Sequence, residues 1–320
     1  MAEMRQGGNS LIEVSHLTKR YGGHTALADV SFSIPEGQIT GLLGPNGAGK
    51  STTMNILTGC LAPSSGSVRI NGIDILEDPY GAKRCLGYLP EQPPLYPDRT
   101  PEEYLKFVAR AKGVERPAQA AEEVMERTGL TEMGHRLTCN LSKGYRQRLG
   151  IAQAILGDPK LIILDEPTVG LDPLQITQIR DLIRDLGRDR TVILSSHILA
   201  EVQAVCSNIL ILSGGRLVAQ GTPAQLRQLR ASASLDLEAE VTAQEAQALT
   251  KGLPDCKAAL EPMEARRLRI RLETSRENLD ALARQVFFRF AQAGKPILRM
   301  TQERASLEDI FLELTKEESK

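Results

Sequence analysis

Short apolar runs and segments of helical period alternate along the chain. Gln38-Ile39-Thr40-Gly41-Leu42-Leu43 is brief and apolar enough for a buried strand. Leu161-Ile162-Ile163-Leu164 and Thr191-Val192-Ile193-Leu194 are continuous apolar runs, the pattern of strands buried on both faces of a parallel sheet. Helical spacing predicts helices over 53–59, from Pro101, over 118–127, after Ser142, over 176–186 and over 198–205. The stretch from Ile73 to about Gly157 reads as mostly helical. Strand–helix alternation of this kind predicts an α/β fold with a mainly parallel core.

Other strands alternate polar with apolar positions. Residues 28–34 do so, 67–70 comes before the turn Asn71-Gly72, and a strand is also predicted to start over 11–14. Ile209-Leu210-Ile211-Leu212 and Arg216-Leu217-Val218-Ala219 flank Gly214-Gly215 and predict a hairpin. Composition shifts after about Arg230, where Ala231-Ser232-Ala233-Ser234 reads as a joint. The remainder predicts strand 235–241, helix 243–252, strands 256–261 and 268–273, helix 277–293, strand 297–301 and a last helix over 307–314. The order βαββαβ is that of a small α+β ferredoxin-like domain. Two domains are therefore expected, 1–230 and 231–320, the first with a helical subdomain over about 90–157.

Composition narrows the classes. Of 320 residues, 41% are hydrophobic and 25% charged, ordinary values for a soluble globular protein. A net charge of −1 gives no electrostatic footprint for nucleic acid, and no nucleic-acid partner is expected. No apolar run approaches the ~18 residues that span a bilayer, and 1–9 holds no signal-peptide core. The five cysteines (Cys60, Cys85, Cys139, Cys206 and Cys256) are scattered without a C-x-x-C pair, which fits reduced cytosolic thiols.

The chemistry gathers on Gly44-Pro45-Asn46-Gly47-Ala48-Gly49-Lys50-Ser51-Thr52, a glycine, four residues, then Gly-Lys-Ser. A predicted strand precedes it and a helix follows, the setting of a phosphate-binding loop. Glycines let consecutive backbone N–H groups turn toward phosphate oxygens, and the helix N-terminus adds positive field. Lys50 suits the β- and γ-phosphates, and the Ser51 hydroxyl suits Mg²⁺. Asp165 and Glu166 follow an apolar strand, at the end that faces the ligand crevice in such sheets. Asp165 suits a Mg²⁺ contact and Glu166 suits activation of a water; the alternative is two acids ending a strand at Pro167. His197 follows another strand, where a neutral imidazole could bridge Glu166 and a γ-phosphate, or simply begin a helix. Asp172 precedes Pro173 and reads as a helix N-cap that could also touch a partner subunit.

With these residues in hand, the chain resembles the ATP-binding subunits of ABC transporters over 11–230. Leu141-Ser142-Lys143-Gly144-Tyr145-Arg146-Gln147-Arg148 sits where the family signature belongs, Gly170-Leu171-Asp172 matches the D-loop, and Tyr21 holds the position that stacks on adenine. The resemblance implies a P-loop ATPase fold with an antiparallel β subdomain, ATP and Mg²⁺ as ligands, and ATP hydrolysis. It implies a head-to-tail pair of such subunits, in which Ser142 and Gly144 of one chain contact the γ-phosphate held by the other. It also implies permease subunits in the membrane and a cytoplasmic place on its inner face.

Two segments depart from the family pattern. Lys143 stands for a glycine and Tyr145 for a glutamine in the signature; Lys143 either adds a cation near phosphate or faces the surface. In Tyr88-Leu89-Pro90-Glu91-Gln92, Glu91 follows the proline where the family has glutamine, so either Glu91 or Gln92 is the expected Mg²⁺ contact. These variants, with the ending 306–315, look most like multidrug and gliding-motility exporter subunits. A soluble ATPase of the same fold, or a non-hydrolysing module, is the competing reading; the latter would be expected to lack Lys50 or Glu166. In the C-terminal domain, Arg266, Arg267, Arg269 and Arg271 form a basic strand, expected to be solvated or paired with nearby glutamates rather than to hold a ligand.

Overall fold

The computed structural model describes residues 10–228, 232–253, 256–263, 267–275, 279–304 and 307–316. The chain folds as two compact units, one running to Pro223 and one covering Ala224–Glu313.

The first unit opens with an antiparallel hairpin, β1 (Ser10–Tyr21) and β2 (His24–Pro35), turning at Gly22-Gly23. The hairpin is longer than the sequence pattern predicts. His16 and Asp29 adopt positive φ (51° and 55°), and the register slips between Val14 and Leu17. Such bulges break the period-two signal while the pairing continues. Next come β3 (Ile39–Leu43), α1 (Lys50–Leu57), β4 (Ser65–Ile70), β5 (Ile73–Asp74), α2 (Pro79–Arg84) and β6 (Leu86–Leu89).

The helical segment follows: α3 (Pro101–Ala111), α4 (Pro117–Thr128) and α5 (Lys143–Ile155). Thr100 and Glu103 close a reciprocal capping box at the start of α3. The Lys112 ammonium donates to the carbonyls of Gln153 and Leu156, at 2.8 and 2.9 Å, and so satisfies the end of α5. Then β7 (Leu161–Leu164), α6 (Pro173–Leu186), β8 (Thr191–Ser196), α7 (Leu199–Val205), β9 (Asn208–Ser213) and β10 (Arg216–Gly221) complete this part, and α8 (Pro223–Gln228) begins at its boundary with the second unit.

Two sheets organise these elements. One is antiparallel, in the order β2-β1-β4-β5. The other is the core, β10-β9-β3-β8-β7-β6, parallel except for the β9–β10 hairpin. A single apolar cluster joins them: Ile12, Val30 and Ile70 of the first sheet pack in one core with Leu42, Ile163 and Leu210 of the second and with Met54 and Ile56 of α1. The reading of 73–157 as mostly helical misses β6, the parallel edge of the core sheet. Gly87 interrupts that strand's pattern for a steric reason. A Cβ there would lie 1.9 Å from the Ala154 carbonyl of α5.

The second unit contains β11 (Ser232–Ala239), α9 (Ala243–Thr250), β12 (Lys257–Pro262), β13 (Leu268–Ser275), α10 (Leu279–Gln292), β14 (Ile297–Arg304) and α11 (Leu307–Lys316). Its sheet runs β12-β13-β11-β14, antiparallel throughout, the strand order of the ferredoxin-like motif. Leu235, Leu237, Ile270 and Leu272 form one buried cluster with Val286 and Phe290 of α10. Polar residues share the other sheet face. There Arg271 makes a forked pair with Asp236 (2.8 and 3.1 Å) and Arg269 meets Glu238 at 3.3 Å. Arg267 is exposed. Arg266 lies outside the described residues, as do Met1–Asn9 and Ala231.

Candidate nucleotide site

Three loops at the C-terminal ends of β3, β7 and β8 carry the chemistry. These strands are neighbours, in register Leu164–Leu194 between β7 and β8 and Leu43–Ser196 between β3 and β8. Their ends therefore deliver the glycine loop, the acids and His197 to one place.

The glycine loop is shaped by close approach. A side chain on Gly44 would meet the Leu212 carbonyl at 2.5 Å. Gly49 caps α1 in the left-handed region (φ 101°), with Leu27 and the Ala26 carbonyl within 2.8 Å of any Cβ. Lys50, the first residue of α1, folds back over the loop. Its ammonium donates to the carbonyls of Gly44 (2.9 Å) and Pro45 (3.2 Å) and stands 3.6 Å from a Glu166 oxygen.

Glu166 has φ 47°, a strained conformation for a residue with a side chain. The turn is held by Ser195. Its oxygen accepts from the Glu166 N–H at 2.8 Å, and its hydroxyl donates to Asp165 at 2.6 Å. The Glu166 carboxylate lies 3.0 Å from Nδ1 of His197. Burial holds the Asp165 carboxyl above the usual carboxylate range. Glu91 pushes it the same way, while the Ser195 and Ser51 hydroxyls and Lys50 pull against the rise.

A cavity of about 490 Å³ opens over these groups. Tyr21, Asn46, Gly47, Gly49, Lys50, Ser51, Thr52, Glu91, Glu166 and His197 line it. Gly44, Pro45 and Ala48 form the loop behind, and Asp165 is buried beneath. Of the alternatives after Pro90, Glu91 lines the cavity and Gln92 does not. Tyr21 is half exposed at the rim, its ring 5.2 Å from the Lys19 ammonium. His24, which the sequence reading passes over, also lines it, paired with Tyr21 across the hairpin turn.

Ser142, Lys143, Gly144, Tyr145 and Asp172 do not line this cavity. Ser142 caps α5, accepting from the Tyr145 N–H at 3.4 Å, and Asp172 caps α6, accepting from the Gln175 N–H at 2.8 Å. The two caps are neighbours: a Cβ on Gly144 would lie 2.7 Å from the Gln175 side chain, and the Lys143 ammonium crosses Gly170. Ser142 and Lys143 are exposed.

A parallel core sheet, a glycine loop wrapped on a lysine, and acids on the adjacent strand define a P-loop ATPase. The family model described as ABC transporter matches residues 27–169, and one described as AAA domain, putative AbiEii toxin, Type IV TA system matches 139–202. The ABC transporter ATP-binding protein YhcH of Bacillus subtilis (strain 168) is 43% identical over 65% of this chain and 69% of its own length. The bacitracin transport ATP-binding protein BcrA of Bacillus licheniformis is 38% identical over 66% of this chain and 69% of its own. The Nod factor export ATP-binding protein I of Ralstonia nicotianae is 32% identical over 98% of this chain and 96% of its own. Among solved structures, the ATP-binding subunit of an ABC transporter superposes with TM-score 0.63 at 34% identity, over 69% of this chain and 93% of that one. A dimeric post-hydrolysis ATP-binding cassette bound to ADP and Pi gives TM-score 0.60 at 26% identity, over 66% and 98%. The chain belongs to the ABC transporter ATP-binding proteins; it binds and hydrolyses ATP.

Proposed function

We propose that this ATPase works as a head-to-tail pair that drives export through separate membrane subunits. One observation carries the reading. The signature residues 142–145 stand outside the phosphate cavity of their own chain, with Ser142 and Lys143 exposed to meet a second one. Each site is then built from the glycine loop of one chain and the signature of the other. ATP links the two, and its hydrolysis lets them part, a switch driven by phosphate charge. The dimeric cassette among the similar structures supports the pairing. The export named in the Nod factor relative, which aligns over nearly its whole length, supports the direction. Among the described residues no helix is long and apolar enough to cross a membrane. In this reading the transport path belongs to partner permeases, with this chain on their cytoplasmic face.

Within each site, Lys50 and the loop amides hold the β- and γ-phosphates, and Tyr21 supports the adenine. Glu166 accepts the proton of the attacking water, and His197 orients its carboxylate toward the γ-phosphate. Asp172 contacts the partner beside the signature. The Ser51 hydroxyl, Asp165 and Glu91 offer hard oxygen donors in one corner, a set that fits Mg²⁺ completed by phosphate oxygens. Bound there, the ion would offset phosphate charge.

Mixing two inactive variants tests the pairing. Lys50→Ala loses its own glycine loop, and Ser142→Arg blocks the signature. A mixed pair still contains one site with both parts intact, so turnover returns in the mixture. Continued inactivity of the mixture, with both variants folded and dimeric, would overturn the trans arrangement.

A further inference from the structure

Glu201 lies in the first turn of α7 with 6% of its surface exposed, and no step above uses it. Its Oε2 accepts from two hydroxyls, those of Thr168 and, at 3.1 Å, Ser196. The Ser196 oxygen in turn accepts from the Ile198 N–H at 3.0 Å. Thr168 follows Glu166 by two residues, and Ser196 directly precedes His197. A single buried carboxylate oxygen thus joins the two loops whose side chains meet at 3.0 Å.

The arrangement is expensive if it is only packing. Among the described residues no ion pair compensates Glu201, and a buried carboxylate held by neutral hydroxyls alone is costly to desolvate. An apolar side chain would fill the space at lower cost. What an apolar side chain cannot do is receive both hydroxyls on one atom. Glu166 needs that restraint, because its φ of 47° is strained. Ser195 restrains the turn on one side through the Glu166 N–H. Glu201 restrains it on the other through Thr168, whose carbonyl also accepts from the Leu171 N–H in the turn leading to Asp172.

We propose that Glu201 is a positioning residue for ATP hydrolysis. By holding Thr168 and Ser196 on one oxygen it sets the Glu166 carboxylate against His197. The inference rests on the roles proposed above for Glu166 and His197.

The test compares ATP turnover, KM, fluorescent-nucleotide affinity and melting point for the full chain and four variants. Glu201→Ala and Thr168→Val lower kcat about tenfold or more, because small misplacement of a reacting group costs rate steeply. KM, nucleotide affinity and melting point stay near wild type, since Lys50 and its loop are untouched. Glu201→Gln and Thr168→Ser, which keep an acceptor and a donor in place, restore most of kcat. Wild-type kcat in the Ala and Val variants overturns the proposal. So does a parallel fall in kcat, affinity and melting point, and so does failure of the Gln and Ser variants to recover. If Glu201→Ala does not fold, the Thr168→Val and Thr168→Ser pair decides the question. Glu166→Gln is measured alongside; wild-type turnover there removes the role of Glu166 itself, a failure distinct from that of Glu201.

Discussion

Lys50 and Glu166 stand 3.6 Å apart, ammonium to carboxylate, 6% and 8% exposed. The same carboxylate meets His197 at 3.0 Å, so the group proposed above as proton acceptor is gripped from two sides in the cavity. Neither neighbour is free to drift: Lys50 is tied to two loop carbonyls, and His197 follows a strand end fixed by Ser196. This is a preorganised arrangement, in which little movement is needed when charge develops on the γ-phosphate.

Replacing Glu166 by glutamine keeps the shape and removes the proposed proton acceptor. General-base groups contribute about 10²–10⁴-fold, so Glu166→Gln lowers steady phosphate release by at least about a hundredfold. ATP stays bound, and the subunits accumulate as a nucleotide-dependent dimer. Phosphate release and light scattering with and without ATP check both halves.

Glu91 lines the cavity and pushes the Asp165 carboxyl up by its charge, whereas Gln92 does not line it. Glu91→Ala therefore weakens divalent-cation binding in the presence of nucleotide, and Gln92→Ala leaves it unchanged. Losing a carboxylate beside the ion lowers its affinity by roughly tenfold or more. Mn²⁺ titration followed by electron paramagnetic resonance, with a non-hydrolysable ATP analogue, separates the two variants.

The glycine loop, the long apolar strands and the acids at their ends are legible in the sequence because each is a local signal: a φ requirement, a continuous hydrophobic run, a charge at a strand end. The order of strands and helices in the second unit is also legible, though its strands are short and give weak signals: β12 is exposed at every position but Leu260. What the sequence hides is decided by distant chain. Gly87 breaks the pattern of β6 only because α5 passes over it. The β1–β2 hairpin outruns its visible pattern because bulges at His16 and Asp29 shift the alternation. Glu91 and Gln92 are one residue apart in a loop, and backbone direction alone selects between them. His24 enters the cavity through its register with Tyr21, and Glu201, outside the cavity, is tied to Thr168 by a hydrogen bond spanning 33 residues of sequence.

Gly49 and Gly47 separate crowding from backbone preference. Both have positive φ, 101° and 81°, but a Cβ on Gly49 lies 2.6 Å from Leu27 and one on Gly47 meets nothing within 4 Å. Gly47→Ala pays only the left-handed conformation, about 1–2 kcal/mol. Gly49→Ala adds a clash with the β2 backbone, loses more stability than that, and weakens ATP binding by moving the start of α1. Denaturant midpoints and nucleotide titrations of the two variants rank them in that order.

The second unit carries a pH-sensitive cap. Thr242 accepts from the Glu245 N–H at 3.3 Å, and the Glu245 carboxylate accepts from the Thr242 N–H at 2.9 Å and from Lys295 at 2.7 Å. The Lys295 contact, with the bonds from Thr242, pulls the Glu245 carboxyl down to about 2. A carboxyl depressed in the folded chain releases its proton there before it does when unfolded. Its stabilisation is therefore complete above the unfolded value of about 4.3 and is lost as pH falls toward 2. Thr242→Ala lowers stability by about 1 kcal/mol near neutral pH, the usual loss of an N-cap. Glu245→Gln also lowers it, but the gap from wild type narrows steadily between pH 4.5 and 3. Denaturant unfolding followed by helix circular dichroism at several pH values measures that gap; a gap that holds constant with pH would mean the carboxylate charge contributes nothing to the cap.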